Sequence, residues 1–245
     1  NQRSDSKLLV INRLTHKITD EKFFNIDKYI SPNDLIIIND TRVIPARIQG
    51  YRKNTNGKVE IFVERILGST SAQCQLKSTR KLKKGDIIIV GNKIEIRLEE
   101  NSNPLPKIEI LNSSVKTLLS NYGSIPLPPY ISREPEQFDK EYYQTIFAEN
   151  DGSVAAPTAS LHFDDKVITK LKEKKVNICN ITLHIGMGTF SSIKTKYIED
   201  HVMHSELYSI PKKTIEQIKK CKEKNGKVIA VGTTVARALE SFNYK

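Results

Sequence analysis

A change of texture along the chain constrains its fold more than any other feature. From residue 43 to about 110, short β-branched and aliphatic runs are broken by turn signals, whereas the rest alternates helix-period and strand-like segments. In the first texture, residues 43–51 lead through Asn54-Thr55-Asn56-Gly57 into 58–67, a hairpin pattern with a glycine-containing turn. Runs at 72–77, 86–90, 93–98 and 107–111 follow, separated by Lys84-Gly85-Asp86 and Gly91-Asn92. Strands so short and so closely spaced predict a small antiparallel barrel or sandwich.

In the second texture, 164–175 reads as a helix with Val167, Ile168 and Leu171 on one face, and 176–184 as a strand. Residues 211–224 read as a helix opened by Pro211 and followed by Gly226, 227–231 as a strand, and 234–242 as another helix. Such alternation implies an α/β layered structure with a mainly parallel sheet, which strands at 8–12 and 34–39 can join. The expected fold is a discontinuous α/β layered domain, residues 1–42 and 126–245, interrupted by an antiparallel β-barrel domain at 43–125. The proline-rich run IPLPPY at 125–130 is a stiff, extended connector between them.

Composition excludes several classes. Hydrophobic residues at 38% and charged residues at 27% describe a chain that folds, not a disordered one. No apolar run approaches the roughly 18 residues that span a bilayer, so no membrane partner is expected. Cys74, Cys179 and Cys221 are scattered and form no CxxC pair, which argues against a disulfide framework or a cysteine zinc site. The opening NQRSDSKLLV has neither an initiator Met nor a signal-peptide pattern, so a cytoplasmic chain lacking its first residues is expected. A net charge of +11 favours polyanionic partners, although a lysine-rich solvated surface has the same balance.

Chemistry-bearing residues gather where strands end, which is where open α/β sheets place ligands. After the apolar run at 35–38, Asp40 and Arg42 suit an anion clamp, Asp40 orienting the guanidinium. Small residues around Thr158 precede His162 and a predicted helix start. The strand ending at His184 runs into Gly186, Gly188 and Thr189, whose glycines expose backbone N–H groups but lack a dinucleotide fingerprint. His201, His204 and Glu206 lack HExxH spacing and read as acid–base equipment, Glu206 orienting an imidazole, more readily than as a metal site. Gly232, Thr233 and Thr234 open a helix carrying Arg237, a natural anion site without the lysine of a P-loop.

Taken in order and spacing, NDTRVIPAR, GSVAAPTASLHF, TLHIGMGTF, HSE and GTTVARALES resemble the diagnostic segments of the S-adenosylmethionine:tRNA ribosyltransferase-isomerases of queuosine biosynthesis. IPLPPYI and YYQTIFAE are similar too, so the resemblance covers nearly the whole chain. Ser160 and Val235-Ala236 depart slightly from the family pattern, and the family's opening segment and a long C-terminal stretch are expected to be lacking. The resemblance implies an α/β domain interrupted by a β-barrel. It also implies transfer and isomerisation of the ribosyl part of S-adenosylmethionine onto an aminomethyl-deazaguanine at the tRNA wobble position. Epoxyqueuosine would form, adenine and methionine would leave, no metal would be needed, and a monomer is expected. His184 or His204 would then be the base, with His162 as its partner or as a substrate-binding donor and Glu206 assisting. Asp40, Arg42, Thr158, Gly186, Gly188, Thr189, Gly232, Thr233, Thr234 and Arg237 would bind substrate. The rival expectation is a non-catalytic RNA-binding remnant that uses the basic turns Arg52-Lys53 and 77–84.

Overall fold

The computed structural model describes residues 2–101, 105–128, 130–190 and 195–242. The chain begins with a hairpin, β1 (Lys7–Asn12) against β2 (Lys17–Lys22). It then enters β3 (Leu35–Asn39), which is buried at every position. After β4 (Thr41–Val43) come the strands β5 (Arg47–Arg52), β6 (Lys58–Ile66), β7 (Ser71–Ser78), β8 (Ile87–Val90), β9 (Ile94–Glu100) and β10 (Lys107–Ile110). These pair antiparallel in the order β5-β6-β7-β10-β9-β8, and β8 pairs back onto β5, closing a barrel.

Closure follows from alternation. Val59, Ile61 and Val63 of β6 point inward and are no more than 1% exposed, while Lys58, Glu60 and Glu64 lie on the outward face. Ile48, Cys74, Ile88, Ile96, Leu98 and Ile108 complete the interior. Helix α1 (Val115–Tyr122) packs Val115, Leu118 and Leu119 on this core and is capped by Ser114 Oγ, which accepts from Thr117 N–H. The strand signals of this stretch concealed that two-turn helix.

The chain continues through β11 (Gly123–Ser124), α2 (Asp139–Tyr142) and β12 (Asn150–Ser153). After these come α3 (Asp165–Glu173), β13 (Asn177–Leu183), β14 (Tyr208–Ser209), α4 (Lys212–Glu223), β15 (Val228–Ala230) and α5 (Thr233–Ser241). β13 and β15 flank β3 in parallel, and β14 pairs antiparallel at the β13 edge, so the sheet is mainly parallel as expected. Successive β3 side chains point to opposite layers. Leu35 and Ile37 meet Ile218 and Cys221 of α4 and Val235 and Ala238 of α5. Ile36 and Ile38 meet Val167 and Leu171 of α3. Each fully buried Leu or Ile here contributes roughly 1.5–3 kcal/mol, which is why an unbroken apolar run suits this central position.

Two expectations need correction. The strand at 8–12 does not join the parallel sheet; it pairs with β2, and Leu9 and Ile11 stay 57% and 64% exposed, because a local hairpin partner is closer than the sheet edge. The run at 43–51 is two strands, since Pro45 separates β4 from β5. As expected, α4 follows Pro211 and ends shortly before Gly226; the left-handed residues just past α3 and α4 are Lys175 and Asn225. In the proline-rich connector, Pro129 lies outside the described residues.

Candidate active site

The site is built where β3 and β13 finish. Asn39, Asp40 and Thr41 are each at most 2% exposed, so their polar groups need internal partners. Asn39 supplies a side-chain continuation of the sheet: Nδ2 donates to Leu183 O (2.9 Å) and Oδ1 accepts from Leu183 N–H (3.0 Å). Asp40 accepts from Thr182 Oγ1 at 2.7 Å and from Asn180 Nδ2, which locks the neighbouring strand. Asp40 therefore does not orient Arg42. The Arg42 guanidinium turns outward to Ala148 O (2.5 Å) and Asp151 (3.4 Å). Asp40 lies at the break between β3 and β4, so it and Arg42 do not share one continuous strand face.

Thr41 Oγ1 lies 2.8 Å from His184 Nδ1. The His184 N–H donates to Leu207 O at 3.0 Å, fixing the backbone from the other side. The ring lies against Gly152, where an added Cβ would sit 2.9 Å from its carbon and nitrogen atoms; Gly152 also has φ of 146°. Burial lowers the His184 pKa, and the nearby Asp40 and Asp151 carboxylates only partly offset it. The imidazole is thus held neutral at ordinary pH.

The 184–190 loop is braced from two directions. Gly186 N–H donates to Glu206 Oε1 (3.1 Å), and Arg237 of α5 grips Glu206 Oε2 (2.5 Å) while donating to His204 O (2.6 Å). Glu206 is consequently spent on a backbone amide and a guanidinium, and does not orient an imidazole. The His204 ring is exposed and rests on Gly188, where a Cβ would fall 2.0 Å from its Cδ2. From the barrel, Glu64 Oε2 accepts from Met187 N–H at 3.4 Å.

Two hollows adjoin this loop. One, of about 370 Å³, is lined by His184, Gly186 and Glu206 together with Glu64, Asp151 and Gly152. The other, also about 370 Å³, is lined by Thr158, Thr189, Gly232, Thr233, Thr234 and Tyr143, with Ile185 on its wall. Strand alternation explains why His184 and Gly186 face one hollow and Ile185 the other. In the second hollow, Gly232 has φ of 87° and opens α5. The Thr234 hydroxyl there is buried without a hydrogen-bond partner among the described residues. Burial pushes the Tyr143 hydroxyl up to about 12, so it remains protonated.

His162 stands apart. Its Nδ1 is 2.9 Å from Ser6 Oγ and its ring packs 5.5 Å from Phe23, away from both hollows. Among the described residues, no three His, Cys, Asp or Glu side chains are grouped to hold a metal ion. The sequence reading passed over Thr41, Gly152, Asp151 and Glu64. Thr41 lies inside NDTR, beside residues already singled out; Glu64 carries no local signal beyond its outward place on a strand.

The chain matches the family described as "Queuosine biosynthesis protein" over residues 1–245. It is similar to proteins named S-adenosylmethionine:tRNA ribosyltransferase-isomerase. It is 49% identical over 243 residues to that of Buchnera aphidicola subsp. Schizaphis graminum, covering 98% of this chain and 68% of the relative. Against that of Sulfurihydrogenibium sp. it is 43% identical over 240 residues, covering 98% and 71%. A crystal structure of S-adenosylmethionine tRNA ribosyltransferase from Thermotoga maritima aligns with 98% of this chain and 65% of its own, at 24% identity and a TM-score of 0.42. The chain spans about two thirds of the length of that solved protein. The match along its full length and the identity to curated relatives place the chain in the queuosine biosynthesis protein family.

Proposed function

We propose that the chain carries the ribosyl-transfer and isomerisation chemistry of its named relatives. S-adenosylmethionine would be the ribosyl donor and an aminomethyl-deazaguanine at the tRNA wobble position the acceptor. Epoxyqueuosine would be the product, with adenine and methionine released. On this reading residues 43–125 and the parts 1–42 and 126–245 are the barrel and α/β domains of one enzyme.

The observation that carries the proposal is the contact at 2.8 Å between buried Thr41 and half-buried His184, which lines a hollow beside the open start of α5. A sulfonium acidifies the carbons bonded to it, so a neutral imidazole is a competent base at ordinary pH. With Nδ1–H donating to Thr41 Oγ1, Nε2 keeps its lone pair for the proton taken from substrate. The amine acceptor must also lose a proton, which the exposed His204 can accept, or the same imidazole once it has passed its first proton to the departing adenine. The N–H groups of Thr233 and Thr234, with the unpartnered Thr234 hydroxyl, suit the methionine carboxylate. The Arg237–Glu206–Gly186 strut holds the loop between these groups. Arg42 and Asp40 serve the wall of the site, and His162 supports the fold from behind.

The test is incubation of the chain with S-adenosylmethionine and tRNA bearing the aminomethyl-deazaguanine. Free adenine and methionine, with a matching gain in RNA mass, are the expected result. Binding of that tRNA with no adenine release would favour the non-catalytic RNA-binding reading instead.

A further inference from the structure

We propose that a cleft at the barrel end remote from His184 docks the phosphate backbone of the RNA substrate. The proposal rests on the reading of the chain as a tRNA-modifying enzyme. The cleft, about 330 Å³, is lined by Arg52, Thr55, Lys58, Ser78, Thr79 and Arg80. Two basic turns far apart in sequence, around Arg52 and Arg80, are brought together because β5, β6 and β7 are successive barrel neighbours.

The chemistry of the lining is one-sided. No carboxylate lines the cleft among the described residues. Asp86 offsets Arg52 at 3.4 Å, and that guanidinium also donates to the carbonyls of Arg80 and Lys81 at 3.1 Å, which fixes its plane. Lys58 and Arg80 are exposed and make no ion pair among the described residues. Lys81, Lys83 and Lys84 extend the positive surface along the following turn. Hydroxyls of Thr55, Ser78 and Thr79 beside two free cations are the groups that meet phosphate oxygens.

Position gives the cleft its relation to catalysis. Lys58 and Glu64 lie on the outward face of one strand, and Glu64 lines the hollow that holds His184. Six residues at a rise of roughly 3.3 Å separate the two by about 20 Å. A base inserted beside His184 leaves its flanking strand outside the hollow, and a stem running along β6 brings further phosphates over the cleft. Phosphate contacts of this kind fix register without reading sequence.

Direct titration of fluorescent tRNA against the full chain tests this, with Lys58→Glu/Arg80→Glu compared with Lys219→Glu/Lys220→Glu on α4. The cleft variant is expected to lose at least about tenfold in affinity. Its slope of log K against log salt should flatten by roughly 1.5, as removal of two phosphate contacts requires. The α4 variant should lose far less. An unchanged melting temperature and a milder loss in Lys58→Gln/Arg80→Gln separate docking from misfolding. Equal losses in both charge-reversed variants would show a general effect of net charge and overturn the proposal, as would unchanged affinity in the cleft variant. Cleft-dependent binding without adenine release would sustain the docking site while contradicting the enzymatic reading.

Discussion

Thr41 Oγ1, fully buried at the edge of the sheet, sits 2.8 Å from Nδ1 of His184, a residue 143 positions later in the chain. The contact exists because β3 and β13 run parallel in register and end together, so each delivers its next polar residues to the same rim. It decides which imidazole nitrogen remains available to a ligand.

Thr41→Val removes the partner of Nδ1 while keeping the side-chain shape. The rate at saturating substrates is expected to fall about 10- to 100-fold, the scale of a general base held in the wrong tautomer or pose. Stability should drop by only about 1 kcal/mol, and Thr41→Ser should restore most of the rate. Steady-state kinetics alongside urea unfolding checks both halves.

The acid limb of kcat/KM should fall below the ordinary histidine range of about 6.5, because burial disfavours the His184 imidazolium. For stability the sign follows the same way. The unfolded chain binds this proton more readily, so the contribution is complete above the unfolded pKa and is lost as pH falls through the folded one. A pH–rate profile and pH-dependent unfolding should therefore bend in the same acidic window, and both bends should vanish in His184→Gln.

Gly152→Ala should displace the imidazole. The added methyl would lie 2.9 Å from the ring, and φ of 146° is strained for alanine. A loss of about 1–3 kcal/mol in stability is expected, with kcat reduced more than substrate affinity. Unchanged kcat in a folded Gly152→Ala protein would contradict the placement of the ring.

The strut from α5 to the 184–190 loop makes its own prediction. Arg237→Met leaves Glu206, whose side chain is 10% exposed, without its charged partner. The loop amide of Gly186 is then held by an uncompensated carboxylate. About 1–3 kcal/mol of stability should be lost, and KM for S-adenosylmethionine should rise, as measured by unfolding and by initial rates.

Much of the architecture was legible because its signals are local and periodic. The short runs broken by turn signals predicted the barrel strands, in which Val59, Ile61 and Val63 alternate inward, and the unbroken apolar run at 35–38 suits a strand covered on both sides. Helix α3 was readable from Val167, Ile168 and Leu171, although Asp164, expected in its first turn, is its N-cap. The site was less legible, since it is made by register between distant strands. Asp40 and Arg42, two residues apart, suggested a pair, yet the chain breaks between β3 and β4 at Asp40, which is claimed by Thr182, while Arg42 turns to Ala148 O. Glu206 beside His204 suggested an oriented imidazole, yet the nearest demands on its carboxylate are the Gly186 amide and Arg237. His162 looked catalytic by motif and instead bonds Ser6 behind the sheet.

The most direct test of the central claim is deuterium wash-in at the carbons bonded to the sulfonium. S-adenosylmethionine is incubated in D₂O with modified tRNA and either the unaltered chain or His184→Gln, then recovered for mass spectrometry. Deuterium is expected to enter with the unaltered chain and to be lost with His184→Gln, while both proteins bind S-adenosylmethionine alike. Undiminished exchange and adenine release in the folded His184→Gln protein would show that another group takes the proton.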